Sequence, residues 1–101
     1  MRPKKLRWVK CRPGERCFRP LCRSTGAIPG VLLTLDELEA VRLADLEGLR
    51  QVDAAGKMRI SRPTFSRIVA SARRKISDAL VNMKAIKIKG GRCKIIRRNK
   101  K

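Results

Sequence analysis

Behind Ser61, apolar residues return at helical spacing as far as Met83: Phe65, Ile68, Val69, Ala72, Ile76, Ala79 and Leu80 fall between them. Ser61 is a favoured N-cap residue, and Pro63 falls in the first turn after it, where its missing N–H costs nothing. This stretch predicts one helix of about 20 residues, ~30 Å long. The chain has 101 residues, enough for one domain with a single modest core. A helix of that length has to be its axis, and every other element must pack along it.

Two shorter helices are expected upstream. Thr34-Leu35-Asp36-Glu37 is a capping box, with Leu33 and Leu38 at the positions of a hydrophobic staple. Asp36 and Glu37 also complement the positive end of the helix dipole. Leu35, Leu38, Val41, Leu43, Ala44 and Leu46 then make a broad apolar face before Gly48, so a helix is predicted over 35–47. A second helix is predicted from Arg50 to Met58, with Val52, Ala54, Ala55 and Met58 facing inward. Residues 1–30 hold Pro3, Pro13, Pro20 and Pro29 and no sustained period, which reads as an irregular arm with one short strand near Leu6, Trp8 and Val9. The tail from Ala85 reads as a β-hairpin about Gly90-Gly91, setting Ile86 and Ile88 opposite Ile95 and Cys93. Lys87 and Lys89 would then oppose Lys94 and Arg92, a like-charge face that would need an anion.

The balance of 27 Lys and Arg against 8 Asp and Glu gives a net charge of +19. A compact domain so charged repels itself and seeks a polyanion: DNA, RNA or an anionic membrane surface. No apolar run approaches the ~20 residues that span a bilayer, and no apolar stretch follows the basic N-terminus as in a secretory signal. The helices lack the Trp/Phe-rich stripe of a membrane-surface helix. A nucleic-acid partner and a cytoplasmic location follow as expectations. The charge is also unevenly placed: residues 26–48 carry five acids and only Arg42 as a base, between strongly basic flanks. A binding face and a separate acidic face are implied.

The two helices at 50–83 fit a helix-turn-helix. Small Ala55 lets them approach, Ala54, Met58, Ile60, Phe65 and Ile68 supply the packing, and Arg59-Ile60-Ser61 is a turn of the right length. Arg62, Ser66, Arg67 and Ala70 then leave the early turns of the second helix, the part that enters the major groove in such motifs. Arg62 and Arg67 can each bond guanine O6 and N7 bidentately. Phosphate contacts are assigned to Arg59, Thr64, Arg73, Arg74, Lys75, Lys87, Lys89, Arg92 and Lys94. The plainer alternative is a helical hairpin with a solvated basic face.

Residues 33–91 closely resemble the UPF0251 (DUF134) family of small prokaryotic proteins predicted to bind DNA. The resemblance rests on the LTLDELEAVRLADLEGL block, the AAGKMRISRPTFSRI turn and helix, and the ARRKISDAL tail, with Phe18-Arg19-Pro20 and Gly30 matching more loosely. The second half also looks like the promoter-reading module of sigma factors. The resemblance implies DNA binding and names no target. Two positions depart from it: Arg59 stands where family members carry a turn glycine, and Gly56 where they often carry Glu. A left-handed non-glycine residue costs about 1 kcal/mol, and a helix-interior glycine a similar amount relative to Ala.

Cys11, Cys17, Cys22 and Cys93 are spaced poorly for structural zinc, which favours close cysteine pairs. Reduced, partly buried thiols are the simpler reading, and zinc on these four is the rival. The chain has no His and no nucleotide-binding glycine loop, so neither an enzyme nor a cofactor is indicated. Asp36, Glu37, Glu39, Asp45 and Glu47 read as capping and solvated groups, or as a docking face for a basic partner. The expected fold is mainly α: a basic Cys/Pro-containing arm over 1–30, a three-helix helix-turn-helix domain over 31–83, and a basic β-hairpin and tail over 84–101. The leading function is sequence-specific binding of double-stranded DNA as a transcription regulator. A homodimer joined through Val31, Ile95 and Ile96 is an accompanying expectation. The rivals are a structured-RNA or ribosome-associated binder and a protein-interaction module using the acidic helix; the lack of aromatic stacking pairs favours DNA over RNA.

Overall fold

The structure, a computed structural model, describes residues 7–10, 16–21, 28–91 and 93–96. It is mainly helical. Helix α1 (Leu35–Val41) continues into a π-helical turn over Arg42–Leu46; α2 spans Gln51–Met58 and α3 spans Arg62–Asn82. Five short strands complete it: β1 (Arg7–Lys10), β2 (Arg16–Phe18), β3 (Gly30–Leu33), β4 (Ala85–Ile88) and β5 (Cys93–Ile96).

The three helices form where their signals predict, and α3 takes the expected cap. Each capping residue has extended backbone: Thr34, Arg50 and Ser61. The Glu37 carboxylate accepts the Thr34 N–H at 2.9 Å, and the Thr34 hydroxyl donates to Asp36. The helix expected over 35–47 widens at its end, where the Glu47 N–H bonds the Arg42 carbonyl at 2.9 Å, five residues back. Arg42 holds this wide turn from outside, giving two 2.8 Å bonds to Glu39 and one to Glu47. The extra residue rotates Leu46 out of the apolar face, and it stands 80% exposed while Leu43 is buried. Three other expected core residues also face solvent: Val52, some 60° beyond Ala55 around α2, Leu80, five turns beyond Arg62 on the outer side of α3, and Met83, the left-handed C-cap of α3.

The core has two parts along α3. Ala40, Leu43, Ala54, Ala55, Met58, Phe65, Ile68 and Val69 bury one another between the helices. Val9, Leu33, Leu35, Ala72 and Ile88 form a second cluster where the strands meet α1 and α3, flanked by Leu38, Val41, Ile76 and Ile86. Leu33 and Leu38 share this cluster, as a hydrophobic staple requires.

The expected C-terminal hairpin is not formed. Strand β4 is the centre of a three-stranded sheet, antiparallel to β2 and parallel to β3, while β5 pairs in parallel with β1. Ile86 therefore opposes Phe18 and Val31 rather than Ile95, and Lys87 opposes Cys17 and Leu32. The pairing removes the like-charge face that a hairpin would have stacked. Gly90 and Gly91, both at positive φ, carry the chain over the start of α1 instead of turning it back. The Gly90 carbonyl accepts the Leu35 N–H at 2.9 Å, satisfying a helix-terminal donor. A Cβ on Gly91 would lie 2.6 Å from the Asp36 carboxylate, so only glycine passes there. The N-terminal segment is likewise less irregular than expected: a strand occurs where Trp8 and Val9 indicate one, and β2 and β3 join β4.

Candidate nucleic-acid interface

Helices α2 and α3 meet through a short turn closed by backbone geometry. Arg59 takes a left-handed conformation (φ 58°, ψ 45°), so the conformation that glycine would adopt freely is present with an arginine in it. Its N–H bonds the Gly56 carbonyl and the Ile60 N–H bonds the Ala55 carbonyl, each at 3.1 Å, the paired closure of a Schellman motif. Ser61 then caps α3, its Oγ accepting the Thr64 N–H at 3.3 Å and its hydroxyl bonding Thr64 Oγ1 at 2.9 Å. Burial of Ala54, Ala55 and Met58 against Phe65 and Ile68 sets how α3 leaves the turn.

With Phe65, Ile68, Val69 and Ala72 turned inward, α3 presents Arg62, Ser66, Arg67, Ala70 and Arg74 to solvent over an arc of about 140°. Arg59 is exposed just ahead of them. The acids are used elsewhere. Asp45 takes Arg73 through two bonds of 2.7 and 3.0 Å, and Glu37 takes Lys75 at 2.9 Å. Glu39 and Glu47 take Arg42, Asp53 takes Arg50, and Asp78 takes Lys84. None of the carboxylates among the described residues pairs with Arg59, Arg62, Arg67 or Arg74.

The remaining assigned phosphate residues fall in three groups. Thr64 is half-buried and bonded to Ser61, while Arg73 and Lys75 lie on α3 but hold α1 and its π-helical turn. Lys87 alternates with Ile86 and Ile88, which face the helices, so it takes the outer side of the sheet, away from α3. Lys89 follows β4 beside the start of α1, Lys94 opposes Trp8 in β5 by its backbone, and Arg92 lies outside the described residues. The structure thus groups Arg59 with the four base-reading candidates and Arg74, and leaves Lys87 on the far side of the sheet.

Of the five acids read as capping and solvated groups, Glu37 caps α1 as expected and Asp45 and Glu47 are exposed, while three are buried. Asp36, Glu37 and Glu39 are buried, and Glu37 joins two helices: it accepts from Ser71 at 2.6 Å and from Lys75, besides capping α1. Burial alone would raise its pKa. The bonds from Ser71, Lys75 and the Thr34 N–H, with the Lys75 charge, outweigh burial and hold the carboxyl below its usual value. Asp45 is also held low, first by its bond from Arg73.

Two participants were not legible as such in the sequence. The ring of Trp8 lies under the Arg59 guanidinium, 3.6 Å from carbon to centroid. Arg7, from the same strand, lines a cleft of about 350 Å³ with Thr34, Asp36, Thr64 and Arg67. The one available signal was a lone tryptophan within a basic segment. Cys17 is an exposed free thiol on β2, the Cys93 backbone lies in β5, and Cys11 and Cys22 lie outside the described residues. Among the described residues no group of three or more His, Cys, Asp or Glu is placed to hold a metal, and no helix is long and apolar enough to cross a membrane.

Fold and surface define a small, basic, mainly helical protein with its acids turned to structural use. Over residues 1–96 it matches the family described as protein of unknown function DUF134, and the chain belongs to that family. It is 52% identical over 94 residues to the UPF0251 protein TTE1845 of Caldanaerobacter subterraneus subsp. tengcongensis, covering 93% of this chain and 80% of that one. It is 53% identical over 90 residues to a UPF0251 protein of Chlorobium chlorochromatii, covering 89% of this chain and 51% of that one. No solved structure matches.

Proposed function

We propose that α2, the turn and α3 act as a helix-turn-helix that binds double-stranded DNA, with α3 entering the major groove and the protein serving as a transcription regulator. The observation that carries this reading is the pairing pattern. Every described acid except Asp36 forms an ion pair with a base other than Arg59, Arg62, Arg67 or Arg74. The net positive field is therefore left uncancelled along the turn and the outer face of one helix. Arg62, Ser66, Arg67 and Ala70 would face base edges, and Arg59, Thr64 and Arg74 the phosphates. Arg73 and Lys75 serve the fold in this reading, because a phosphate would have to displace Asp45 or Glu37.

Selection of bound sequences from a random duplex pool tests it, followed by competition with structured RNA at matched salt. Enrichment of a defined duplex that outcompetes RNA is expected. RNA bound more tightly than every selected duplex would make the protein an RNA binder instead. A palindromic selected site, with a dimer mass in solution, would add paired half-sites to the reading.

A further inference from the structure

Arg59 pairs an unfavourable backbone with a built-in partner. Its left-handed conformation is one that glycine takes without strain. An arginine there adds a charge and a flat guanidinium, and the guanidinium carbon lies over the Trp8 ring, 3.6 Å from its centroid. Stacking on an aromatic face leaves the in-plane N–H groups pointing outward, the geometry with which a guanidinium bonds a phosphate. No carboxylate occupies them among the described residues.

The strand that carries Trp8 is itself anchored. Val9 is fully buried in the second core cluster, and β1 pairs along its length with β5. Successive residues of β1, which leave opposite faces of the strand, reach two places beside α3: Trp8 meets the turn before it, and Arg7 lines the cleft that also holds Arg67.

We propose that β1 is a second DNA-contacting element, in which Trp8 is a positioning residue that holds the Arg59 guanidinium on a backbone phosphate flanking the groove. This rests on the helix-turn-helix reading above and adds to it a contact made from outside the motif. A pre-oriented guanidinium loses less side-chain freedom on binding than a mobile one. The strained arginine is thereby given a use that glycine could not serve.

The experiment uses the full chain, a selected duplex and a scrambled duplex, each across a salt series. Arg59→Gly is expected to keep or raise the melting temperature, because the backbone strain is relieved. It should nevertheless weaken binding to both duplexes severalfold and lower the log–log salt slope by about 0.9, the signature of one lost phosphate contact. Trp8→Phe, which keeps a ring face, should bind nearly as the parent does. Trp8→Leu should reproduce the binding loss of Arg59→Gly, and the double variant should be no weaker than either single one, since both remove one contact. Trp8 is the single tryptophan, so its emission reports this place alone and should change when the selected duplex saturates the protein.

Arg59→Gly binding with the parental affinity and slope overturns the proposal, as does unchanged Trp8 emission at saturation. In either case a loss confined to Arg67→Ala would leave the helix-turn-helix reading standing. If Trp8→Leu does not fold, Arg59→Gly and the emission decide the matter. A parent protein that binds no duplex removes both readings.

Discussion

At the scale of single residues, the outer face of α3 separates two kinds of arginine. Arg67 leaves its second turn, whereas Arg74 stands about two turns further on, where a straight helix docked as proposed would climb away from the groove floor. Replacing Arg67 with Ala should weaken binding to the best duplex by about 1–3 kcal/mol and to random duplex much less. Replacing Arg74 should weaken both alike and flatten the salt dependence by about one unit of slope. Binding curves on selected and scrambled duplexes check this, and equal losses for Arg67→Ala on both would mean that α3 does not read bases. Gly56 yields a prediction about folding alone. It is exposed inside α2, and a Cβ added there would meet nothing within 4 Å. Gly56→Ala should therefore stabilise the protein by about 0.5–1 kcal/mol, read as a higher denaturant midpoint at unchanged slope.

At the scale of elements, α1 is tied to α3 through one carboxylate. Glu37 closes the cap of α1 and accepts from Ser71 and Lys75, so its charged form belongs to the folded state. Its folded pKa lies below the unfolded one, and the stability this supplies is present above the unfolded value. It is lost as pH falls through the folded value, a window beginning at about pH 4.3 for a glutamate. Glu37→Gln should cost about 1–3 kcal/mol at pH 7, and the deficit should shrink towards pH 3 as the parent loses the same charge. Denaturant titrations at pH 7, 5 and 3 measure it; a deficit independent of pH would assign the effect to shape rather than charge. Capping logic made this helix legible, because Thr34, Asp36 and Glu37 are local signals at fixed offsets. That the same Glu37 would reach 38 residues along the chain to Lys75 was not legible, since no local pattern encodes it.

At the scale of the whole molecule, the sequence determined what short-range physics determines. Helical periodicity, the Ser61 cap with Pro63, and the Arg59-Ile60-Ser61 spacing locate three helices and the turn between the last two, because each depends on residues within a few positions of one another. The composition likewise determined the excess of positive charge. Tertiary structure decided where that charge is left exposed: Arg73, Arg74 and Lys75 are equivalent as letters, yet Asp45 and Glu37 claim the first and third and leave the second. It also decided the fate of the C-terminal strands. A glycine pair between two alternating runs satisfies the local rule for a hairpin. Here a buried place for Ile88 beside Leu33, and the Leu35 N–H awaiting a carbonyl from Gly90, draw the two strands into different sheets. Strand pairing is a choice among partners distant in sequence, made by which pairing buries apolar surface and satisfies backbone polar groups together, and those partners meet only in the folded chain.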